Sequence, residues 1–291
     1  SIFTRSSRGV VPTDRGREFL LLAKKAVRQY QALEHFCTKE EHGSLSLQIC
    51  VPKAGYIHTA FASFLTKHAK GRTLSVDYRE TGTMDAIRDV CLRSASLAII
   101  RFSDRYERSL FSLLKRKELA GEVICRFEPL AVMSERHPLA GTSVLTADML
   151  EQSVEVLCED TSLADYLNEP AEPEHFPSVI RLHEGSGLPG LLSHLTSAFA
   201  FAPPLPESVL KDYHLVQKKC QATRSGLNSH GGQNAHGGPN THGAACLPGK
   251  MTDLLIYPED ARLTRVENAF LEAVRQAAPA IQGDRSSRSG D

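Results

Sequence analysis

Near the start of the chain, Arg5, Arg8 and Arg15 stand among small and turn-forming neighbours. Guanidinium groups crowded on a short β-turn suit a phosphate backbone, which they hold without reading base sequence. Arg5, Ser7 and Arg8 are the candidate DNA contacts. Farther along, Lys53 and Arg101 each break an apolar run where a strand is expected to end. In an open α/β sheet, ligands settle beyond the carboxyl ends of strands and beside helix N-termini. On that rule a small-molecule site takes Lys53 and Ala54 after a first strand, Thr81, Gly82 and Thr83 after a second, and Arg101 after a third. Ser134, Thr161 and Gly185 would face them from a second set of strands. Lys53 and Arg101 together favour a small anionic ligand such as a carboxylate; the alternative is that both form salt bridges to surface acids. Thr83 reads as the N-cap of a helix beginning at Met84, which would occupy its hydroxyl.

No catalytic constellation accompanies these groups. The sequence holds no Gly-x-Ser-x-Gly, no Walker loop and no His-Glu-x-x-His, and Gly185-Ser186-Gly187 lacks the longer dinucleotide fingerprint. Neither an enzyme nor a cofactor is expected. His230, His236 and His242 recur every six residues between Cys220 and Cys246. Imidazoles suit zinc or nickel, but a glycine-rich chain preorganises its ligands poorly, so the segment reads as a flexible insertion and no metal is assigned. The seven cysteines, at 37, 50, 91, 125, 158, 220 and 246, are odd in number and form no CxxC pair. That pattern fits reduced thiols in the cytoplasm. No apolar run approaches the roughly 18–20 residues a membrane span requires.

The elements that must position these residues follow from periodicity. From Asp14 to His42, Phe19, Leu22, Ala26, Tyr30, Leu33 and Cys37 recur at three- and four-residue steps. They predict a long amphipathic helix, capped by Thr13, with a stripe suited to a second copy. After Gly43 strands and helices alternate: strands at Leu45–Val51, Thr73–Tyr78 and Leu97–Phe102, helices at Ile57–His68 and Met84–Arg93. Nearly continuous apolar strands predict a parallel sheet covered on both faces. A second set has strands at Leu130–Ser134, Val154–Cys158, Val179–His183 and Ala198–Ala202, with helices from about Thr146 and at Leu188–Ser197. A strand at Leu254–Tyr257 and a helix at Thr264–Ala277 close the order, with crossing segments between lobes at about Leu113–Phe127 and Tyr213–Lys219. The 291 residues and 41% hydrophobic content allow two sizeable cores. Overall, 34 basic and 34 acidic residues cancel, yet residues 1–30 carry seven Lys/Arg against two acids. A basic arm on a neutral protein is a footprint for DNA.

Ile2-Phe3-Thr4-Arg5-Ser6-Ser7-Arg8-Gly9-Val10-Val11-Pro12-Thr13-Asp14-Arg15-Gly16 resembles the wing and linker-helix start of LysR-type transcriptional regulators, with Pro12 in place of the usual leucine. Ser96-Leu97-Ala98-Ile99-Ile100 is similar to a strand of that family, although Ser96 stands where an acid is common. Glu135-Arg136-His137-Pro138-Leu139-Ala140 is similar to a landmark of its second lobe. The resemblance runs from Ile2 to about Val274. It implies an α/β, two-lobed periplasmic-binding-protein-like sensor preceded by a winged helix-turn-helix remnant and a long linker helix. The implied organisation is a wing at 1–13, a linker and dimerisation helix at 14–43, lobe 1 at 44–124 and 250–281, and lobe 2 at 125–220. A His/Gly-rich insertion at 221–249 departs from the family's short connection, and 282–291 reads as a disordered tail. The chain is expected to begin after most of the helix-turn-helix. Implied partners are promoter DNA, a small-molecule effector, and further copies in a homodimer or homotetramer, with no membrane. Two alternatives remain: a solute-binding protein of a transporter, and an effector-binding fragment without DNA-binding activity.

Overall fold

The computed structural model describes residues 1–6, 9–17, 19–20, 22–23, 26–27, 30, 44–53, 55–158, 163–168, 176–182, 187–222 and 247–278. Outside them lie the expectations placed on Ser7, Arg8, residues 31–43, Ala54, Thr161, Gly185, His230, His236, His242 and the 282–291 tail.

The chain opens with a hairpin in which β1 (Phe3–Ser6) pairs antiparallel with β2 (Gly9–Pro12), Arg5 opposite Val10. The helix that follows, α1, is described at residues 14–17, 19–20, 22–23, 26–27 and 30. Thr13 caps it: its hydroxyl accepts from Gly16 N at 2.9 Å, while Thr13 N donates to the Ile2 carbonyl at 3.0 Å. A Cβ on Gly16 would lie 1.8 Å from that same carbonyl oxygen, so glycine is required for hairpin and helix to meet.

Lobe 1 is built from β3 (Ser44–Val51), α2 (Gly55–His68), β4 (Thr73–Glu80), α3 (Thr83–Cys91), β5 (Leu97–Ser103), a 3-10 turn at Asp104–Tyr106, α4 (Glu107–Arg116) and β6 (Leu119–Phe127). Lobe 2 follows with β7 (Leu130–Ser134), β8 (Leu145–Thr146), α5 (Ala147–Leu150), β9 (Val154–Cys158), α6 (Leu163–Leu167), β10 (Val179–Leu182), α7 (Leu188–His194), β11 (Ala198–Ala202), α8 (Glu207–Asp212), β12 (Leu215–Lys218) and β13 (Cys220–Gln221). The chain then returns to lobe 1 through β14 (Met251–Pro258) and α9 (Arg265–Ala277).

Each lobe has a five-stranded sheet, β4-β3-β5-β14-β6 and β10-β9-β11-β7-β12. Four strands of each run in one direction and one against them: β14 is antiparallel to β5 and β6, and β7 is antiparallel to β11 and β12. The purely parallel expectation is corrected here. In each sheet the fourth strand enters from a crossing between lobes, so it runs against the strands laid down by local βα connections. The crossings are shorter than expected too. Leu113–Phe127 falls in α4 and β6, both within lobe 1, and the first crossing narrows to Glu128–Pro129. Tyr213–Lys219 falls mostly in β12, which pairs with β7 inside lobe 2. Two helices are also shorter than expected: α7 stops at His194, and the helix near Thr146 is the single turn of α5.

Both faces of the lobe 1 sheet are covered, which is why its strands read as apolar runs. Leu45, Leu47, Ile49 and Ile99 pack on α2 and on Phe270, Leu271 and Val274 of α9. Cys50, Ala98, Ile100 and Leu254 pack on Ala86, Ile87 and Val90 of α3 and on Leu110, Leu113 and Leu114 of α4. In lobe 2, Ala131, Met133 and Phe199 form one core layer with Leu145, Leu150 and Phe176; Val132, Val156, Ala200 and Leu215 form the other with Leu192. Among the described residues no helix is long and apolar enough to cross a membrane.

Candidate functional site

The carboxyl ends of β3, β4 and β5 share one end of the lobe 1 sheet, where the antiparallel β14 begins. Lys53 follows β3 and is half-buried; Thr81 and Gly82 separate β4 from α3. Thr81 N donates to the Val51 carbonyl at 3.0 Å, tying the two loops together. Gly82, not Thr83, is the N-cap of α3, and it caps without a side-chain bond. Thr83 is the first helical residue, 3% exposed, and its hydroxyl donates to the Arg101 carbonyl at 2.7 Å. The helix starts one residue earlier than expected, and the hydroxyl serves the sheet rather than the helix end.

Arg101 lies in β5 with its side chain turned to β14. Its Nε and Nη2 donate to the two carboxylate oxygens of Asp253, each at 2.7 Å, and Nη1 donates to the Lys53 carbonyl at 3.0 Å. The guanidinium also sits 5.0 Å from the centre of the Phe127 ring. Asp253 is fully buried and accepts a further, very short bond from the Tyr56 hydroxyl. Tyr56 in turn lies 3.7 Å from Cys125 Sγ. Burial works against the charge on Arg101, but the Asp253 carboxylate outweighs it and holds the guanidinium pKa above its ordinary value. Burial, reinforced by Asp253, raises the Tyr56 hydroxyl and pushes the Cys125 thiol up to about 11. This is a bidentate pair with every charged oxygen engaged, the arrangement in which a buried charge is tolerated.

Of the two readings of Arg101, anion receptor or salt bridge, the geometry gives the salt bridge, to an acid in the core rather than on the surface. Lys53 remains at the rim with its carbonyl held by Arg101. A bulge in the β14–β6 register between Asp253 and Leu254 places Cys125 opposite Asp253. Asp253, Tyr56 and Cys125 were not among the site residues expected from sequence. A readable signal existed for Asp253, a lone carboxylate in the apolar run Met251-Thr252-Asp253-Leu254-Leu255-Ile256, matching Arg101 in its own apolar strand.

In lobe 2, Ser134 ends β7 beside the start of β12, at the sheet end away from both crossings and from the carboxyl ends of β9 and β11. It does not face lobe 1 as expected, because β7 runs antiparallel to β11. Ser134 is 1% exposed and accepts from Arg136 N at 3.2 Å. Its hydroxyl organises the turn leading to His137, whose Nδ1 accepts from Leu139 N at 3.1 Å. Burial holds the His137 pKa below its ordinary value. Cys158, exposed at the end of β9, lies within electrostatic reach of Lys53; desolvation raises the thiol pKa while the Lys53 ammonium pulls it down. A Cβ on Gly55, the first residue of α2, would lie 3.4 Å from side-chain atoms of Leu205 and of Pro206. The structure thus brings Lys53, Arg101, Thr81, Gly82 and Thr83 to one sheet end facing lobe 2, but leaves Ser134 at the far end of the lobe 2 sheet. Two surface cavities lie elsewhere, one of about 530 Å³ along Asp104–Ser109 and one of about 380 Å³ beside Glu128, Pro129, Lys219 and Lys250. Among the described residues no group of three or more His, Cys, Asp or Glu side chains is placed to hold a metal ion.

No family model and no curated protein matches this chain. Solved structures do. Full-length OxyR from Pseudomonas aeruginosa, in a Cys-to-Asp mutant form, aligns with a TM-score of 0.54 at 12% identity, covering 95% of this chain and 81% of that one. A cysteine mutant of OxyR from Corynebacterium glutamicum gives 0.50 at 14% identity, covering 95% and 77%. The regulatory domain of MetR, a LysR family regulator from N. meningitidis, gives 0.46 at 14% identity, covering 81% and 93%. What the two OxyR structures share with this chain, at such low identity, is the fold, the two-lobed α/β architecture of LysR-type regulators.

Proposed function

We propose that this protein is a LysR-type transcriptional regulator, in which a small molecule held between two α/β lobes modulates binding to promoter DNA. The observation that carries the reading is the order of parts in one chain: a basic hairpin, a Thr13-capped helix, then two lobes of matching topology, aligned with full-length OxyR over 95% of the residues. Its chemistry is recognition rather than catalysis, and its place is the cytoplasm, where DNA and reduced thiols are found together. Arg5, Ser7 and Arg8 are the proposed phosphate contacts. The proposed organisation is a wing, a linker helix and two lobes, with the 221–249 insertion between β12 and β14.

Along α1, Phe19, Leu22 and Tyr30 are 49%, 63% and 62% exposed. Apolar side chains left open at helical spacing favour a second copy of the chain, giving a homodimer or, with lobe contacts added, a homotetramer. For the effector, Arg101 is engaged with Asp253, and Lys53 follows β3 at the same sheet end as Thr81 and Gly82 at the start of α3. A small carboxylate is the class this arrangement favours.

The test is DNA binding by the intact protein, read by fluorescence anisotropy on duplexes from its own genome, with and without a panel of small carboxylates. Arg8→Ala is expected to weaken all duplexes alike and to flatten the salt dependence by about one unit. One carboxylate is expected to shift wild-type DNA affinity, with the shift lost in Lys53→Met. Absence of DNA binding at low salt overturns the regulator reading; an effector whose action survives Lys53→Met overturns the anion reading.

A further inference from the structure

We infer that the chain latches its own cleft: α6 of lobe 2 is docked on the core of lobe 1, and release of this one helix regulates access to the site between the lobes. By sequence α6 belongs to lobe 2, following β9 of the second sheet. By packing it belongs to lobe 1. Leu163, 9% exposed, lies in the cluster formed by Ala86, Ile87 and Val90 of α3 with Leu110 and Leu113 of α4, and Ala164 and Leu167 pack against that cluster beside Met84 and Cys91. Residues 163, 164 and 167 share one helical face, so a single turn presents all three at once.

A second contact closes the other rim, where Gly55 of α2 abuts Leu205 and Pro206 of lobe 2. Cys158 of lobe 2 lies within electrostatic reach of Lys53 of lobe 1. Both rims meet through apolar groups supplied by the chain, and none of these contacts needs a bound molecule to bridge it. Arg101, already neutralised by Asp253, does not keep the lobes apart. Yet the latch is slight. Leu163 is the only buried residue of α6, and Tyr166 on the opposite face is 52% exposed. Elements with so few buried contacts open at free energies far below global unfolding. Apolar contact is also non-directional, so the helix can leave and re-seat as a unit. A ligand that binds the open cleft better than the closed one therefore competes with α6 for the lobe 1 surface.

This inference rests on the two-lobed effector-site reading, but its test uses no ligand, so either can fail alone. Amide hydrogen exchange followed by mass spectrometry is measured on the intact protein and on Met84→Glu, a substitution in lobe 1. Exchange at 163–168, in lobe 2, is expected to rise about tenfold or more, with Leu130–Ser134 and Ala198–Ala202 unchanged. The reciprocal Leu167→Glu is expected to raise exchange across Thr83–Cys91 and serves if the first variant does not fold. Unchanged exchange at 163–168, or a rise spread equally through Leu130–Ser134, overturns the latch.

Discussion

The two lobes have the same strand order and the same antiparallel fourth strand, but they place polarity differently. In lobe 1 the fourth strand, β14, carries Asp253 into the middle of the sheet, where Arg101 and Tyr56 satisfy it. In lobe 2 the fourth strand, β7, is apolar along its buried length until Ser134 at its end, and that hydroxyl serves a turn. The difference is one of position in the chain. β14 begins directly after the second crossing, and β6, which carries Cys125, ends at the first. The charge network of lobe 1 therefore knits both crossing strands to the loop at Lys53, whereas the fourth strand of lobe 2 is held by packing and the buried carboxylate of that lobe, Glu155, stands on β9. One topology thus carries its buried carboxylate on the fourth strand in one lobe and on an inner strand in the other.

The largest effect is expected from Asp253→Ala, which strands Arg101 in the core of lobe 1. Loss of one partner of a buried pair costs about 3–5 kcal/mol, whereas Arg101→Met combined with Asp253→Leu should recover most of it. Urea denaturation checks this, and a double variant no better than the single would show that the network contributes more than charge balance. In lobe 2, Leu215, 3% exposed, is the matching packing residue on β12. Leu215→Ala should cost about 3 kcal/mol through lost transfer and a cavity, seen in fluorescence of an extrinsic core-binding dye during denaturation. If the two substitutions shift one common transition equally, the lobes unfold as one unit; if each shifts its own, the comparison holds.

The smallest effect belongs to His137. Its folded pKa is depressed by burial, and protonation would also break the bond that Nδ1 accepts from Leu139 N. Stability from the neutral ring is therefore complete above the unfolded value of about 6.5 and is lost as pH falls toward the folded value. Denaturation midpoints at about pH 7.5 and 5.5 should differ more for wild type than for His137→Asn. An equal difference would remove His137 as the acid-sensitive point of lobe 2.

Much of this was legible before any coordinates. Thr13 announced its helix and accepts from Gly16 N, whereas the capping box that Thr264 forms with Glu267 at the start of the last helix is seen only in the structure. The apolar runs at Leu45–Val51, Leu97–Phe102 and Leu130–Ser134 became strands within one or two residues of their expected ends. α4 and β6 were harder to read because Leu110, Leu113 and Leu114 alternate with charged residues that serve the exposed face of a helix and a connection equally well. Arg101 was marked correctly as a residue that breaks a pattern, but the reason it does so lies 152 positions away in the sequence.

The sequence by itself determined the local elements, the basic arm, and the residues gathered at the strand ends, because caps, periodicity and charge act between neighbours along the chain. Only the tertiary structure decided that β14 runs antiparallel beside β5, that Arg101 is neutralised by Asp253, and that α6 leaves its own lobe to sit on the other. These depend on which distant segments meet, and the free energy of such meetings comes from shared burial and paired charge, quantities that no single segment contains.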